Sequence, residues 1–356
     1  MIVFDLGQNA AIIPTLTTHG QAGAVVQIIP AEITNSDGTV NRDSVGGGSA
    51  YWQYTLAGTG SEVWIPRFFY HGCRYLQVQL ISAAGSSQLP AVDNLQGVVV
   101  QSAVPPVGSF SCSVPLFNET ETLIRWAQRN NLISILTDCP HRERLGWLEE
   151  AHLNGPSLRY EFDLDKFSRC TADAMSDSQL SSGLVPDIAP EFTVFSGAFR
   201  DSPEWGSSVI LVPWQQYQFT GDDMLLRQYY GAMTNYLAYL QRQSAGYILS
   251  YGLGDWYDIG PASEGYEQLT PMGVTATAYF FQDAQTLARI ATELGNLSDA
   301  NRFNQLAAHI AAAFNSSFYS ATNGYYATGS QTAQAMPLEL GIVNPTNQAS
   351  VLDTLV

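Results

Sequence analysis

The 356-residue chain carries a formal net charge of −17, and only 13% of its residues are charged, against about a quarter in an average soluble domain. Nucleic acid and anionic membrane surfaces require clustered Lys and Arg; Lys166 is the single lysine, and neither partner is expected. At 46% hydrophobic and 12% aromatic the chain can bury large cores, and its length suits two domains better than one.

In chain order, the first residues, IVFDLGQN, read as the middle of a β-strand. Strand signals follow at 24–33 (AVVQIIPAEI), 51–58 (YWQYTLAG), 62–69 (EVWIPRFF), 74–80 (RYLQVQL) and 95–102 (LQGVVVQS). Each is short, rich in β-branched and aromatic residues, and bounded by turns such as SDGT at 36–39 and AGTGS at 57–61. Strands without intervening helices predict an antiparallel β-sandwich over 1–112. The pattern changes near Pro115, where Asn118 and Glu121 have capping-box spacing ahead of apolar residues at helical period. Helices are predicted at 118–133, 143–154, 163–180, 207–219, 222–243, 270–294, 298–317, 331–340 and 345–356, with long loops at 181–206 and 246–269. Amphipathic helices joined by loops that can carry function fit an (α/α)6 barrel of hairpins over 113–356. Six hairpins need twelve helices, so nine would leave the barrel unclosed.

SVLDTLV at the end reads as the middle of a helix without a stop signal, and both ends suggest a piece of a longer protein. An unclosed barrel would leave several hundred Å² of apolar surface uncovered, worth on the order of 10 kcal/mol. Residues 1–356 alone are therefore expected to be marginally stable or to aggregate, with an open groove beside the 118–133 helix. No secretory leader is recognisable after Met1, and no apolar run approaches the ~20 residues of a membrane span. A polar surface built without lysine suggests a secreted or extracellular protein, with a cytoplasmic one left open. Sequons at Asn118, Asn296 and Asn315 add weak support. Cys73, Cys112, Cys139 and Cys170 show no metal-binding spacing and are read as buried free thiols, a Cys139–Cys170 disulfide being left open.

The densest charge in the chain is DCPHRERLGWLEE at 138–150. Pro140 suits the first turn of a helix. On such a helix Glu143, Trp147 and Glu150, four and three residues apart, would share one face. Two carboxylates and an indole, with Arg142 nearby, would suit a sugar ring. The indole offers a plane for its C–H face, and a carboxylate beside an aromatic and a second carboxylate binds a proton more tightly, as a general acid must. A solvated helix start carrying acidic residues is the alternative. Asp255 and Trp256, in the Gly-rich segment GDWYDIGP at 254–261, are further site candidates. Asp187, Glu191 and Glu204 are weaker ones from the first long loop. His71, His152 and His309 are read as structural, and Tyr251, Tyr257 and Tyr266 as packing aromatics. Signatures of nucleotide-binding proteins, zinc proteases and serine hydrolases are missing from the sequence.

DCPHRERLGWLEE resembles the DCPxRERxGWxGD motif of the α-L-rhamnosidases of glycoside hydrolase family 78. VFDLGQN at 3–9, the Ala-Glu of PAEI at 30–33, the DGT turn and IPRFFYHGCRYLQV at 65–78 resemble the β-sandwich that precedes the catalytic barrel in that family. GDWYDIGP resembles the barrel's GDW segment, so the resemblance spans nearly the whole chain with its motifs in order. It implies an inverting glycosidase that releases terminal α-L-rhamnose, with Glu143 as general acid. Asp138, Arg142, Trp147 and Glu150 would bind the rhamnose-containing substrate, and Trp205 and Trp256 would be aromatic walls. Inversion needs a second carboxylate roughly 6.5–9.5 Å from the first to activate water; the family places that base downstream of residue 356. No cofactor is implied, a calcium ion being left open.

Three departures stand out: Glu149-Glu150 in place of Gly-Asp, His141 in place of a smaller polar residue, and acid- and tyrosine-rich loops at 183–206 and 254–269. The CPHRE variant also resembles lyases that split rhamnose from glucuronate, which keeps β-elimination through His141, Arg142 and Tyr257 as the alternative. A non-catalytic carbohydrate-binding protein is a third reading, opposed by the intact DCPxRE core.

Overall fold

A computed structural model describes residues 1–355. The chain divides into two compact units, Met1–Leu145 and Gly146–Val356.

The first unit holds six strands: β1 (Ile2–His19), β2 (Val25–Ala31), β3 (Trp52–Thr55), β4 (Ser61–Trp64), β5 (His71–Ile81) and β6 (Ala91–Val99). They pair antiparallel in the order β3-β2-β5-β1-β4, with β6 also on β1. The sheet depends on β1, which the sequence reading recognised only at its start. Its early residues pair with β5, from Ile2↔Val78 to Ile12↔His71; its later ones pair with β6 and β4, as in Leu16↔Leu95 and Leu16↔Trp64. The register shifts between Asp5 and Ala10, where Gly7 takes φ +79° and donates its N–H to Asp5 Oδ1 at 2.8 Å. A glycine in the left-handed region lets a strand bulge without ending it. Alternating side chains of β2 go inward, and Val26, Ile28, Leu16, Trp52, Leu76 and Val78 make the core.

Helix α1 (Pro115–Asn131) belongs to this unit as well. Trp126 packs against the sheet core, and the Asn130 amide accepts the Ala11 N–H and donates to the Asn9 carbonyl, both at 3.1 Å. The compact unit therefore runs past residue 112, where the composition changes, to residue 145. The helix also starts earlier than expected. Pro115 occupies its first turn, where a proline's missing N–H is harmless. Asn118 lies inside the helix and bonds its side chain to both the N–H and the carbonyl of Cys112. Leu116, Phe117, Leu123 and Ile124 on α1 are exposed.

The second unit is helical: α2 (Leu148–Leu153), α3 (Gly155–Glu161), α4 (Asp165–Ser178), α5 (Pro203–Gly206), α6 (Ser208–Thr220), α7 (Met224–Gln243), α8 (Met272–Glu293) and α9 (Leu297–Phe318). A small hairpin of β7 (Tyr319–Ser320) and β8 (Tyr325–Tyr326) precedes α10 (Gln331–Glu339) and α11 (Gln348–Leu355); the expected last residue of that helix, 356, lies outside the described residues. Helix α8 is buried on nearly every side, from Val274 and Ala276 through Phe280 and Leu287 to Ile290, as a central helix must be. Helices α7 and α9 bury one apolar face each. The sequence reading missed α3 because Gly155-Pro156 looks like a break; here the proline sits in the first turn and starts the helix.

All four cysteines are free, so no Cys139–Cys170 bond forms, and only Cys73 is buried; Cys112 and Cys170 are exposed. The Asn315 sequon is spent inside the fold, its amide bonding the carbonyls of Ala311 and Ile342 and the hydroxyl of Tyr326.

Glu62 ties the β3–β4 turn. Its carboxylate accepts N–H bonds from Ala57, Gly58 and Thr59 and the hydroxyl of Tyr54. The N–H of Ala57, then the Tyr54 hydroxyl and the other amides, hold its pKa at about 2 against burial. A lowered pKa contributes stability above the unfolded value near 4.5, and that contribution disappears as pH falls through about 2. Glu62→Gln is therefore expected to lower the melting temperature at pH 7, with the gap to wild type closing as the medium is acidified below pH 4. A calorimetric pH series checks this, and a constant gap would contradict it.

Candidate functional site

The 138–150 motif is divided between the two units after Leu145, and each part is described by itself. In the first unit, residues 138–145 form a closed turn and not the expected helix. The Asp138 N–H donates to the Leu145 carbonyl and Asp138 Oδ1 accepts the Leu145 N–H, both at 3.2 Å. Arg144 takes φ +56°, a left-handed conformation that a helix cannot continue through. Its guanidinium donates to the Tyr70 carbonyl at 2.8 Å and lies 4.8 Å over the Phe69 ring, repaying the strained backbone. The Gly72 N–H bonds the Pro140 carbonyl at 2.9 Å, and a Cβ on Gly72 would stand 2.7 Å from Pro140 Cγ, so only glycine fits there.

Within this turn Glu143 donates its N–H to Cys139 Sγ at 3.2 Å and accepts from Arg142 Nη2 at 3.1 Å. Both Arg142 and Glu143 are exposed. His141 Nδ1 faces Glu32 Oε1 at 3.6 Å. Asp138 is the carboxyl of the turn whose proton affinity is raised, chiefly by burial, with the Glu143 charge adding and bonds from Cys139 and Leu145 opposing. Glu143, Trp147 and Glu150 thus share no helix face, because helix begins only at Leu148 and Trp147 precedes it in extended backbone.

In the second unit Trp147 is fixed by a short antiparallel bridge to Ile188: Leu148 N–H donates to the Asp187 carbonyl at 2.8 Å and Ala189 N–H to the Gly146 carbonyl at 3.1 Å. Its indole stacks on Phe195 at 5.3 Å and meets the edge of Phe199 at 6.5 Å. Phe199 also stands edge-on to Trp256 at 5.4 Å and to Tyr266 at 6.1 Å, so one side chain joins the two predicted site tryptophans. Trp256 meets Tyr257 and Tyr266 in turn. A cavity of about 700 Å³ opens beside this cluster, lined by Phe195, Ala198, Asp201, Tyr251, Tyr266 and Met272 among others. Aromatic faces with a few polar groups are what sugar-sized sites are made of. Trp205 departs from expectation: it is 4% exposed and packs in the helical core, because the whole of α5 is buried. It is no open wall.

Carboxylates gather on the same unit. Glu149 and Glu150 occupy the first turn of α2, Glu150 accepting from the Asn154 amide at 2.9 Å. Asp255 accepts from the Thr270 hydroxyl at 2.9 Å. Burial raises Glu149 to about pKa 8, with the charges of Glu204, Glu150 and Asp255 adding, and raises Glu204 to about 7. Three other acids of the loops serve the fold. Glu191 pairs with Arg200 at 2.7 Å, Asp258 accepts the N–H groups of Gln268 and Leu269, and Asp187 accepts the Ser202 N–H at 2.8 Å. His152 bonds the Ser208 hydroxyl at 2.7 Å and His71 the Gly72 carbonyl at 2.8 Å, both buried as structural histidines are, whereas His309 is exposed and stacks on Tyr247. Sequence reasoning missed Phe195 and Phe199, since aromatics in a loop carry no period, and gave Glu149 no role.

Known proteins show the same order of parts. Residues 105–356 match the family model of the bacterial alpha-L-rhamnosidase 6 hairpin glycosidase domain, and residues 1–101 that of the bacterial alpha-L-rhamnosidase concanavalin-like domain. An alpha-L-rhamnosidase of Streptomyces avermitilis is 33% identical over 358 residues, covering 100% of this chain and 33% of the relative. One from Formosa agariphila is 29% identical over 99% of this chain and 38% of its own length. Among solved structures, the alpha-L-rhamnosidase of Dictyoglumus thermophilum superposes with a TM-score of 0.89 at 33% identity, covering 99% of this chain and 39% of that one. The Streptomyces avermitilis alpha-L-rhamnosidase complexed with L-rhamnose gives 0.86 at 32%, covering 99% and 33%. The chain thus spans between a third and two fifths of the length of these relatives.

Phe199→Ala should remove the shared contact between Trp147 and Trp256. Red-shifted tryptophan emission is expected, with a stability loss of about 2 kcal/mol in denaturant unfolding, the sum of a few aromatic pairs. Phe192→Ala, at an exposed position of the same loop, should change neither, and equal behaviour of the two variants would dissolve the cluster's role.

Proposed function

The chain belongs to the bacterial α-L-rhamnosidases, and we propose that the protein it is part of releases terminal α-L-rhamnose from glycosides or polysaccharides with inversion. What carries the proposal is the pair of family domains, in order along the chain, with DCPHRERLGW inside the second. Glu143 is the proton donor of this reading. Its place in a turn closed by Asp138 and Leu145, beside Arg142, gives it a defined direction while leaving it exposed to an incoming glycosidic oxygen. Proton donation from a placed carboxyl lets the leaving oxygen depart as a neutral alcohol. Asp138, Arg142, Trp147, Glu150, Asp255 and Trp256 are assigned to substrate binding; the partly exposed Trp147 and Trp256, tied through Phe199, suit the apolar face of a sugar. A second carboxylate must activate water on the opposite ring face, and its expected place downstream of residue 356 is part of the proposal. The absence of clustered basic residues supports a neutral carbohydrate partner over nucleic acid or an anionic membrane, and the polar, lysine-poor surface supports secretion.

Hydrolysis of an aryl α-L-rhamnoside by the full-length protein tests the reading. Glu143→Gln should lose about 10²–10⁴-fold in kcat/KM, and rates equal to wild type would remove Glu143 from the mechanism. With a rhamnose-capped glucuronan, free rhamnose is expected without ultraviolet absorbance from an unsaturated uronate. Absorbance would mean β-elimination instead.

A further inference from the structure

We propose that the sheet unit supplies two positioning residues for the proton donor Glu143: Glu32, just past the end of β2, acts through His141, and Gly46, in the loop between β2 and β3, acts through Arg142. The inference rests on the hydrolytic reading above, in which Glu143 gives its proton to the departing oxygen. It adds that the acid turn is aimed from outside itself, by residues far earlier in the chain.

The residues around Glu143 are seated one by one. The Pro140 carbonyl accepts the N–H of Gly72 on β5, and Arg144 reaches the Tyr70 carbonyl and the Phe69 ring. These contacts fix the backbone on either side of the acid. His141 and Arg142 lie between them, and each meets a different piece of the sheet unit. His141 Nδ1 stands 3.6 Å from Glu32 Oε1, both side chains being largely buried. Glu32 is itself held. The same oxygen accepts the Asn9 amide at 2.9 Å, and the Asn9 carbonyl accepts from Asn130 of α1 at 3.1 Å. A shorter polar side chain at 141 would fall short of Glu32.

Arg142 meets Gly46. This glycine closes the 3₁₀ turn Asp43–Val45 with φ +72°, donating its N–H to the Asp43 carbonyl at 3.0 Å. A Cβ there would stand 2.8 Å from Arg142 Cδ and 3.2 Å from Cγ, so the loop backbone lies directly against the arginine stem. The loop is tied in place. Arg42 bonds the carbonyls of Pro30 on β2 and of Gly48, its own carbonyl accepts the Gly47 N–H at 2.9 Å, and Val45 is buried. From this seat the Arg142 guanidinium reaches Glu143 Oε1 at 3.1 Å. Both side chains of that pair are exposed, and an exposed ion pair by itself fixes little. The stem of Arg142, laid on held backbone, supplies the constraint. A donor works only when its proton points at the leaving oxygen, and a displacement of about 1 Å can cost about 100-fold.

The test compares two substrates on one sample of the full-length protein. Phenyl α-L-rhamnoside needs its oxygen protonated to leave. A dinitrophenyl α-L-rhamnoside does not, because its phenolate is a stable anion. Gly46→Ala forces the arginine stem aside, and Glu32→Gln removes the charge that faces His141. Each should lose about tenfold in kcat on the phenyl substrate, with KM within about twofold of wild type, and keep the wild-type rate on the dinitrophenyl one. Added to Glu143→Gln, neither should cost anything further, because the donor is already gone. A loss of folded protein lowers both rates together and leaves their ratio unchanged, so the ratio reports the direction of the acid and not stability. Equal losses on the two substrates, or no loss on either, overturn the positioning role of the residue substituted while rhamnoside hydrolysis stands. No hydrolysis of either substrate by wild type overturns the hydrolytic reading and the positioning role with it.

Discussion

A carboxylate is stable in a protein interior only with a donor or a proton, and this constraint orders much of the molecule. The chain has 32 acidic residues against 15 lysines and arginines, so cations cannot partner most of them. Hydroxyls and backbone amides do so instead. Tyr229 donates to Asp173, Tyr230 to Asp299, Tyr239 to Asp201 and Tyr54 to Glu62. Ser207 serves Asp283, Thr270 serves Asp255, and the Ser202 amide serves Asp187. These tyrosines are hydrogen-bond donors as well as packing material, and Tyr229 and Tyr230 tie helix to helix without positive charge. Glu204 is the exception, buried with neither a cation nor a hydroxyl in bonding geometry. A site is where such an exception is tolerated.

The two units solve the placement of functional side chains differently. In the sheet unit a turn holds the acid motif, closed by the reciprocal Asp138–Leu145 bonds and by Arg144 laid over Phe69. In the helical unit Trp147 is held by a bridge to 188 and by Phe195 and Phe199 of one loop, the second of which meets Trp256 of another. Loops on rigid elements can carry such groups because α8 and its neighbours supply the core independently.

Much of the architecture was legible in the residues. Short runs of β-branched and aromatic residues between turns located β2 to β6, and helical period located α4 and α6 to α11, within a few residues. Failures came where a local signal has two meanings. Gly155-Pro156 looks like a break and begins α3; Pro140 looks like a helix start and sits in a turn. Trp205 was expected as a site wall from the family resemblance, and burial of the whole of α5 places it in the core.

What the sequence alone determined is the family, the order of sheet and helix, and the chemistry available in DCPHRERLGWLEE, because these depend on residue types and short spacings. Only the tertiary structure decided that the motif is a turn followed by a bridge, that Phe199 joins Trp147 to Trp256, and that Glu204 is buried with neither carboxylate oxygen hydrogen-bonded among the described residues. Residues 52 positions and more apart, such as 147 and 199, meet through the packing of α5, α6 and α8. The proton affinity of a carboxyl depends on the burial and charge that this packing creates around it, and no spacing along the chain encodes either.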